Sequence, residues 1–501
     1  MNYRQVGRTL CLILRCIALL MLLPVFVGLL NRERETLAFL VTIAVLLLFS
    51  CASFFLKTDN HSIYAREGFA IVSLSWILLG IFGAMPFVIS RAIPNVFDAF
   101  FEIVSGFTTT GATVLADVES LPRCISFWRC FSIWIGGMGV LVFVLAIVPL
   151  SSGRDMHILR AESPGPSVGK LVPKMRHSAL ILYSIYFALT VIEMLLLLAG
   201  GMSFFDAVTH AFSNAGTGGF STRNAGISAF NSVYIDVVVT VFMFLFSINF
   251  NLFYLILMKK ASEAFRDEEF RVYLLILAIS LATMTINTLS VYGTFSTALR
   301  YSSFQLASIV STTGFATADY SQWPMLSQMV LWFVMFLGGC AGSTAGGLKC
   351  SRFLILVKSV RRELRRLSHP HSSDVIRLSG ETLDEETVSG ANLYFLTYTG
   401  IFLCGLLCIS LNGLDFETTF SSVLTCISNV GPGFGSIVGP VGNFSSLTWF
   451  SKFVLSILML IGRLEIFPML MLFSPSLWRH HRSASRGDKK RRHISASQRI
   501  S

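Results

Sequence analysis

Apolar residues run along this chain in blocks of about twenty, separated by polar or glycine-rich connections. A helix needs about 20 mainly apolar residues to cross the hydrocarbon of a bilayer. Ten segments meet that length, at 10–30, 37–56, 67–90, 127–150, 178–200, 233–257, 271–291, 326–348, 391–411 and 448–473. The pattern predicts an all-α polytopic membrane protein with ten transmembrane helices. The first run follows Arg4 and Arg8 and could be read as a signal peptide, but it is long for one and no small-x-small cleavage site closes it. A retained helix is the expectation.

The polar connections alternate in character. Those after the fourth, sixth and eighth apolar segments carry Arg154, Arg160, Lys170, Lys174 and Arg176, then Lys259, Lys260 and Arg266, then Lys358, Arg361, Arg362, Arg365 and Arg366. The tail adds Arg479, Arg482, Arg486, Lys489, Lys490, Arg491 and Arg492. Between them, 202–232 holds only Arg223, 292–325 only Arg300, and 412–447 no base at all. Basic connections stay in the cytoplasm, so both termini are expected inside.

The base-poor connections are half apolar and broken by glycine. Non-helical backbone survives at membrane depth only where protein buries it or it lines a watery cavity, which is the situation of a re-entrant pore loop. Four stretches align on a glycine: Thr108-Thr109-Thr110-Gly111, Ser213-Asn214-Ala215-Gly216, Ser311-Thr312-Thr313-Gly314 and Ser428-Asn429-Val430-Gly431. Each follows a short helix candidate, beginning near Phe97, Phe204, Phe304 and Phe416. The unit is helix–pore-loop–helix, four times over, around a pseudo-four-fold pore. The expected boundaries are 1–64 for two extra N-terminal helices, 65–153, 154–262, 263–370 and 371–475 for the four repeats, and 476–501 for a basic cytoplasmic tail.

An ion leaving water needs oxygens in place of its hydration shell, and a ring of backbone carbonyls provides them. Glycine reaches the dihedrals that aim carbonyls inward without a Cβ clash. The C-terminal carbonyls of each short helix add partial negative charge facing a cation, and Asp98 and Asp206 suit the opposite end of that dipole. A single such glycine would more often mark close helix packing; four in the same context point to a filter. Its ion-binding residues are expected to be Thr109, Thr110, Gly111, Asn214, Ala215, Gly216, Thr312, Thr313, Gly314, Asn429, Val430 and Gly431.

Composition narrows the class further. Hydrophobic residues make up 53% and charged residues 13%, with a net charge of +11, against about 25% charged in soluble chains. No basic–aromatic nucleic-acid pattern accompanies the charge. The ten cysteines show no CxxC pair or metal-ligand spacing. No glycine run follows a strand, which removes Rossmann and P-loop readings.

Two features lie within apolar segments. Gly338-Gly339-Cys340-Ala341-Gly342-Ser343-Thr344-Ala345-Gly346-Gly347 cannot hold a stable helix, because each glycine costs about 1 kcal/mol against alanine. It reads as an unwound intramembrane gate, with Gly338, Gly339, Gly342, Ser343, Thr344, Gly346 and Gly347 as its residues and Lys349 at the inner mouth; a helix-packing patch is the bland alternative. Arg463 falls inside the last apolar segment, where an ionisable group is a functional hypothesis. It is read as an electrostatic barrier, with a structural pair to Glu102, Glu193 or Glu465 as the alternative.

The stretches Ser105-Gly106-Phe107-Thr108-Thr109-Thr110-Gly111-Ala112-Thr113, Ser213-Asn214-Ala215-Gly216-Thr217-Gly218-Gly219-Phe220-Ser221 and Ser428-Asn429-Val430-Gly431-Pro432-Gly433-Phe434-Gly435 closely resemble the Trk/Ktr/HKT superfamily of potassium transporters. The two extra N-terminal helices resemble the bacterial Trk membrane subunit, and the resemblance covers nearly the whole chain. It implies potassium uptake across a bacterial cytoplasmic (inner) membrane and a flexible loop in helix eight. It also implies a homodimer bound to a cytosolic nucleotide-binding regulatory subunit, so that K⁺ is cargo and no cofactor belongs to this chain. Relatives that prefer sodium often have serine in the first repeat, where this chain has Gly111. Two rivals remain. One is an obligate Na⁺- or H⁺-coupled potassium symporter. The other is a polytopic membrane enzyme, disfavoured because the nine histidines lie mostly in loops or tail.

Overall fold

The computed structural model describes residues 3–51, 65–139, 175–369 and 374–478. The expectations for the basic connection 154–174, the end of the fourth apolar segment and the tail from Arg479 onward lie outside the described residues. Within them the chain is helical, apart from one small antiparallel hairpin that pairs Arg377–Leu378 with Glu381–Thr382. Five helices are long and apolar enough to cross a membrane, and a bent pair makes a sixth. The large apolar side chains on their flanks, such as Leu29, Leu396 and Leu407, stand exposed. That is the inverse of a soluble protein and suits contact with lipid.

The segments at 178–200, 271–291 and 391–411 form the uninterrupted helices Met175–Ala199, Glu268–Tyr292 and Glu385–Ser410. Four shorter helices, Val96–Phe107, Phe204–Ala215, Phe295–Val310 and Phe416–Ser428, each run into one of the glycine stretches. Local chemistry fixes three of their starts. The Asn95, Ser203 and Asp415 side chains accept from the N–H groups of Phe97, Asp206 and Thr418, satisfying donors that have no helical partner. The third starts earlier than the sequence suggested, just after Gly293 closes the preceding helix in a left-handed conformation.

Three of the helices that follow the glycine stretches are interrupted, one at the glycine run where a break was expected and two where an unbroken span was expected. The segment 326–348 is helical only over Met325–Leu337, and the chain resumes as the helix Cys350–Ser368. The segment 233–257 bends by 93° between Val233–Ser247 and Phe250–Leu257. The last divides into Trp449–Arg463 and Phe467–Phe473, with Glu465 and Ile466 both at positive φ. The first two of these breaks meet. The Cys340 N–H donates to the Ser247 carbonyl at 2.9 Å, and the Phe250 N–H donates to the Gly342 carbonyl at 3.0 Å. The first two interrupted backbones thereby bond to each other, as irregular chain at membrane depth requires.

Candidate functional site

The four short helices end in the same turn. The N–H groups of Thr110, Gly218, Thr313 and Val430 donate back to the carbonyls of Ser105, Ser213, Ser308 and Thr425 at 2.8, 2.9, 2.9 and 2.9 Å. The residue just before each of these is left-handed: Thr109 (φ 56°), Thr217 (φ 57°), Thr312 (φ 58°) and Asn429 (φ 56°). A left-handed glycine follows: Gly111 (φ 78°), Gly219 (φ 66°), Gly314 (φ 82°) and Gly431 (φ 104°).

These glycines close a ring. A Cβ on Gly111 would strike the Gly218 carbonyl, one on Gly219 the Thr313 carbonyl, one on Gly314 the Val430 carbonyl, and one on Gly431 the Thr110 carbonyl. Each loop is packed backbone to backbone against the next, and the fourth against the first. Glycine is required twice over, for the dihedral and for the approach.

The ring corrects the register expected for the second stretch. Gly216 caps its helix in an ordinary helical conformation (φ −76°) and packs on Ile133. Asn214 and Ala215 lie within the helix, not in the loop. Thr217, Gly218 and Gly219 occupy the positions held elsewhere by Thr109, Thr110 and Gly111. The stretch Asn214-Ala215-Gly216-Thr217-Gly218-Gly219 offers three glycines, and the expectation took the first. The helix position that receives the turn hydrogen bond would have decided it. Ser105, Ser213, Ser308 and Thr425 each stand six residues before a ring glycine.

Side chains secure the loops from behind. Thr108 and Thr110 share a hydroxyl–hydroxyl hydrogen bond of 2.8 Å, and Ser311 and Thr313 one of 2.7 Å. Two asparagines add further bonds. Asn429 Nδ2 donates to Thr110 Oγ1 and to the Met459 carbonyl, both at 3.0 Å. Asn214 Nδ2 donates to the buried Glu193 carboxylate and to the Val239 carbonyl. Glu102 and Arg129 form a buried pair at 2.7 Å, and the Glu102 carboxylate also accepts from the Thr113 hydroxyl and the Val114 N–H. Arg129 is a residue sequence reasoning passed over. Removing one partner of a buried pair strands the other charge and costs about 3–5 kcal/mol. Glu102→Ala should therefore lower the thermal stability of the detergent-solubilised protein by that amount, and Glu102→Ala/Arg129→Leu should recover much of it. A single variant as stable as the parent would show the pair to be dispensable.

A cavity of about 330 Å³ opens on one side of the ring. Gly111, Gly219, Gly314 and Gly431 all line it, together with Arg223 and Asp319 further out; Gly216 does not. On the opposite side lies the segment 338–349. Its Gly346 N–H donates to Thr312 Oγ1 at 2.7 Å, so it touches the third loop directly. Thr344 Oγ1 donates to the Phe246 carbonyl at 3.0 Å. Lys349, expected at the inner mouth, is buried and donates to the Ala345 carbonyl. Gly338, Gly342 and Gly347 are left-handed, Gly339 packs against Ala345, and Ser343 donates to the Cys340 carbonyl.

Arg463 reaches the same level. It donates to the Thr344 carbonyl at 2.8 Å and to the carbonyls of Gly136 and Gly137 at 2.5 Å. The carboxylates considered as its partners are engaged elsewhere: Glu102 with Arg129, Glu193 with Asn214, and Glu465 with Arg352. The guanidinium thus ties the 338–349 segment to the end of the helix Arg123–Gly137.

Comparison with known proteins gives the family and the fold. The family model TrkH, described as a cation transport protein, matches residues 35–480. The chain is 37% identical over 489 residues to the Trk system potassium uptake protein TrkH of Salmonella typhimurium strain LT2, covering 96% of this chain and all of that one. It is 36% identical over 486 residues to the protein of the same name from Escherichia coli K12, with the same coverage. Its fold is similar to the crystal structure of the potassium transporter TrkH from Vibrio parahaemolyticus, with a TM-score of 0.85 and 35% identity over 96% of this chain and all of that chain.

Proposed function

The chain belongs to the TrkH family of cation transport proteins, and on that premise we propose that it takes up potassium through the ring of Gly111, Gly219, Gly314 and Gly431. It is a multi-pass membrane transporter and not an enzyme. The observation that carries the reading is the ring itself: four left-handed glycines, each in backbone contact with the next, between an open cavity and a plugged side. Backbone carbonyls of Thr109, Thr110, Thr217, Gly218, Thr312, Thr313, Asn429 and Val430 replace the water of the entering ion. Two N-terminal helices and four helix–pore-loop–helix units, ten membrane helices in all, build the pore. The cavity side faces outward and the basic connections inward, in a bacterial cytoplasmic membrane. The segment 338–349 and Arg463 form the gate below the ring. A second copy of the chain and a cytosolic nucleotide-binding subunit are the expected partners.

Uptake of K⁺, Rb⁺, Na⁺ and Li⁺ into liposomes holding the purified protein tests this. Potassium and rubidium should enter at similar rates, and sodium and lithium at least about ten-fold more slowly, the discrimination that about 1.4 kcal/mol provides. Equal rates for potassium and sodium would remove the potassium reading. Uptake that stops when an opposing Na⁺ or H⁺ gradient is imposed would replace the channel-like pathway with a coupled one.

A further inference from the structure

The segment 338–349 has an anchor that neither the ring nor Arg463 provides. Glu269 is the second residue of the helix Glu268–Tyr292, and it is buried. One of its carboxylate oxygens, Oε1, accepts from the Ala341 N–H and from the Ser351 N–H, both at 2.8 Å. The first amide lies inside the segment and the second just beyond it, in the first turn of the helix Cys350–Ser368, so a single oxygen bridges ten residues of glycine-rich chain. Apart from the Arg463 guanidinium, the other anchors are backbone amides, backbone carbonyls or neutral hydroxyls. A carboxylate accepting two N–H groups is the stronger kind of hydrogen bond, and its loss would leave both amides buried without an acceptor.

The same helix end is fastened to the surface. The exposed Ser379, in the turn of the 377–382 hairpin, donates its hydroxyl to Asp267 at 2.9 Å and its N–H to Glu268 at 3.1 Å. Lys358 pairs with Glu268 and also donates to the Arg377 carbonyl at 2.6 Å. The hairpin is therefore one and two residues along the chain from the carboxylate that holds the loop.

We propose that Glu269 is a positioning residue that latches the 338–349 segment beneath the filter, and that the 377–382 hairpin is the handle through which the latch is moved. This rests on the reading of that segment as a gate. Glu269 touches no ion; it sets the fraction of protein in which the loop blocks the path. Pulling on the hairpin from the cytosol shifts the first turn of the helix, and the Ala341 and Ser351 amides lose their acceptor together.

Full-length variants reconstituted into liposomes test the idea, with flux normalised to correctly inserted protein. Glu269→Ala should raise basal potassium flux by about ten-fold, the shift that losing one charge-assisted hydrogen bond can produce, and leave the K⁺/Na⁺ ratio unchanged. Glu269→Gln keeps an oxygen able to accept both amides and should stay within about two-fold of the parent. The thiol of Cys340, buried within the segment, should react faster with a small charged thiol reagent in Glu269→Ala than in Glu269→Gln. Ser379→Ala should raise flux less, and should add nothing in the Glu269→Ala background; an additive effect would overturn the hairpin's part. If Glu269→Ala fails to insert, Glu269→Asp, one methylene shorter, carries the same comparison. Parental flux and parental Cys340 reactivity in the alanine variant, while deletion of residues 341–345 still raises flux, would overturn the latch and leave the gate standing. A deletion that leaves flux unchanged would overturn the gate and the latch with it.

Discussion

Gly219→Ser should pass sodium and potassium at comparable rates, whereas Gly216→Ser should reduce the amount of inserted protein and leave selectivity intact. Gly219 stands at φ 66°, and its missing Cβ is the space taken by the Thr313 carbonyl. A side chain there must displace the neighbouring loop and part the carbonyls that strip the ion of water. Gly216 is helical, and a Cβ on it meets the Ile133 backbone behind the ring. That clash is paid in folding, not in the path of the ion. Gly111→Ser, at φ 78° against the Gly218 carbonyl, should behave like Gly219→Ser. The measurement is the Na⁺/K⁺ permeability ratio of reconstituted protein. A ratio altered by Gly216→Ser and unmoved by Gly219→Ser would return the filter to the register that sequence alone suggested.

The second large effect concerns the plug. Deleting residues 341–345 should raise flux per inserted protein by about ten-fold or more and weaken any control by a regulatory subunit. Arg463→Ala should act in the same direction. Its guanidinium holds the Thr344 carbonyl and the carbonyls of Gly136 and Gly137, and a hydrogen bond to a charged group contributes about 1.5–3 kcal/mol. Losing the Thr344 bond alone would change the closed fraction about ten-fold or more, since each 1.4 kcal/mol is a factor of ten. The positive charge also repels an approaching cation, so both consequences of removal favour conduction. Arg463→Lys keeps the charge but has no planar fork to span three carbonyls, and its flux should fall between the two. Parental flux in well-inserted forms of both the deletion and Arg463→Ala would leave these features as packing alone.

How much of this was legible in the sequence depended on whether a neighbour was needed to decide it. The continuous helices Met175–Ala199, Glu268–Tyr292 and Glu385–Ser410 follow from apolar runs free of glycine clusters. The interruption after Leu337 was legible too, because five glycines in ten residues have no other use. The bend after Ser247 was not. The run there stays apolar, and its carbonyls are drawn off by Cys340 and Thr344, nearly a hundred residues away in the chain. The same holds for Arg129 and Glu102, and for Glu465, which leaves the helix at positive φ and pairs with Arg352. The second loop failed for a different reason. Three closely spaced glycines satisfy a short pattern equally well, and only the turn hydrogen bond from Gly218 to Ser213 separates them.

The closure of the ring also sets an order of manufacture. Gly431 meets the Thr110 carbonyl, the Phe444 N–H donates to the Thr113 carbonyl at 2.8 Å, and Lys452, buried in the last long helix, pairs with Asp98 at 2.8 Å across 354 residues of chain. None of these contacts exists until the ribosome has nearly finished. A chain halted before Phe416 lacks the fourth loop, which leaves an open seam between the third and first loops and Asp98 without its lysine, while the first three loops can already dock on one another. The nascent protein is thus an open horseshoe, and the last quarter of the polypeptide is its clasp. Truncated products should be recognisable to membrane quality control by that unfilled seam, and a Lys452→Ala chain should be cleared faster than its full-length parent even when every loop is present.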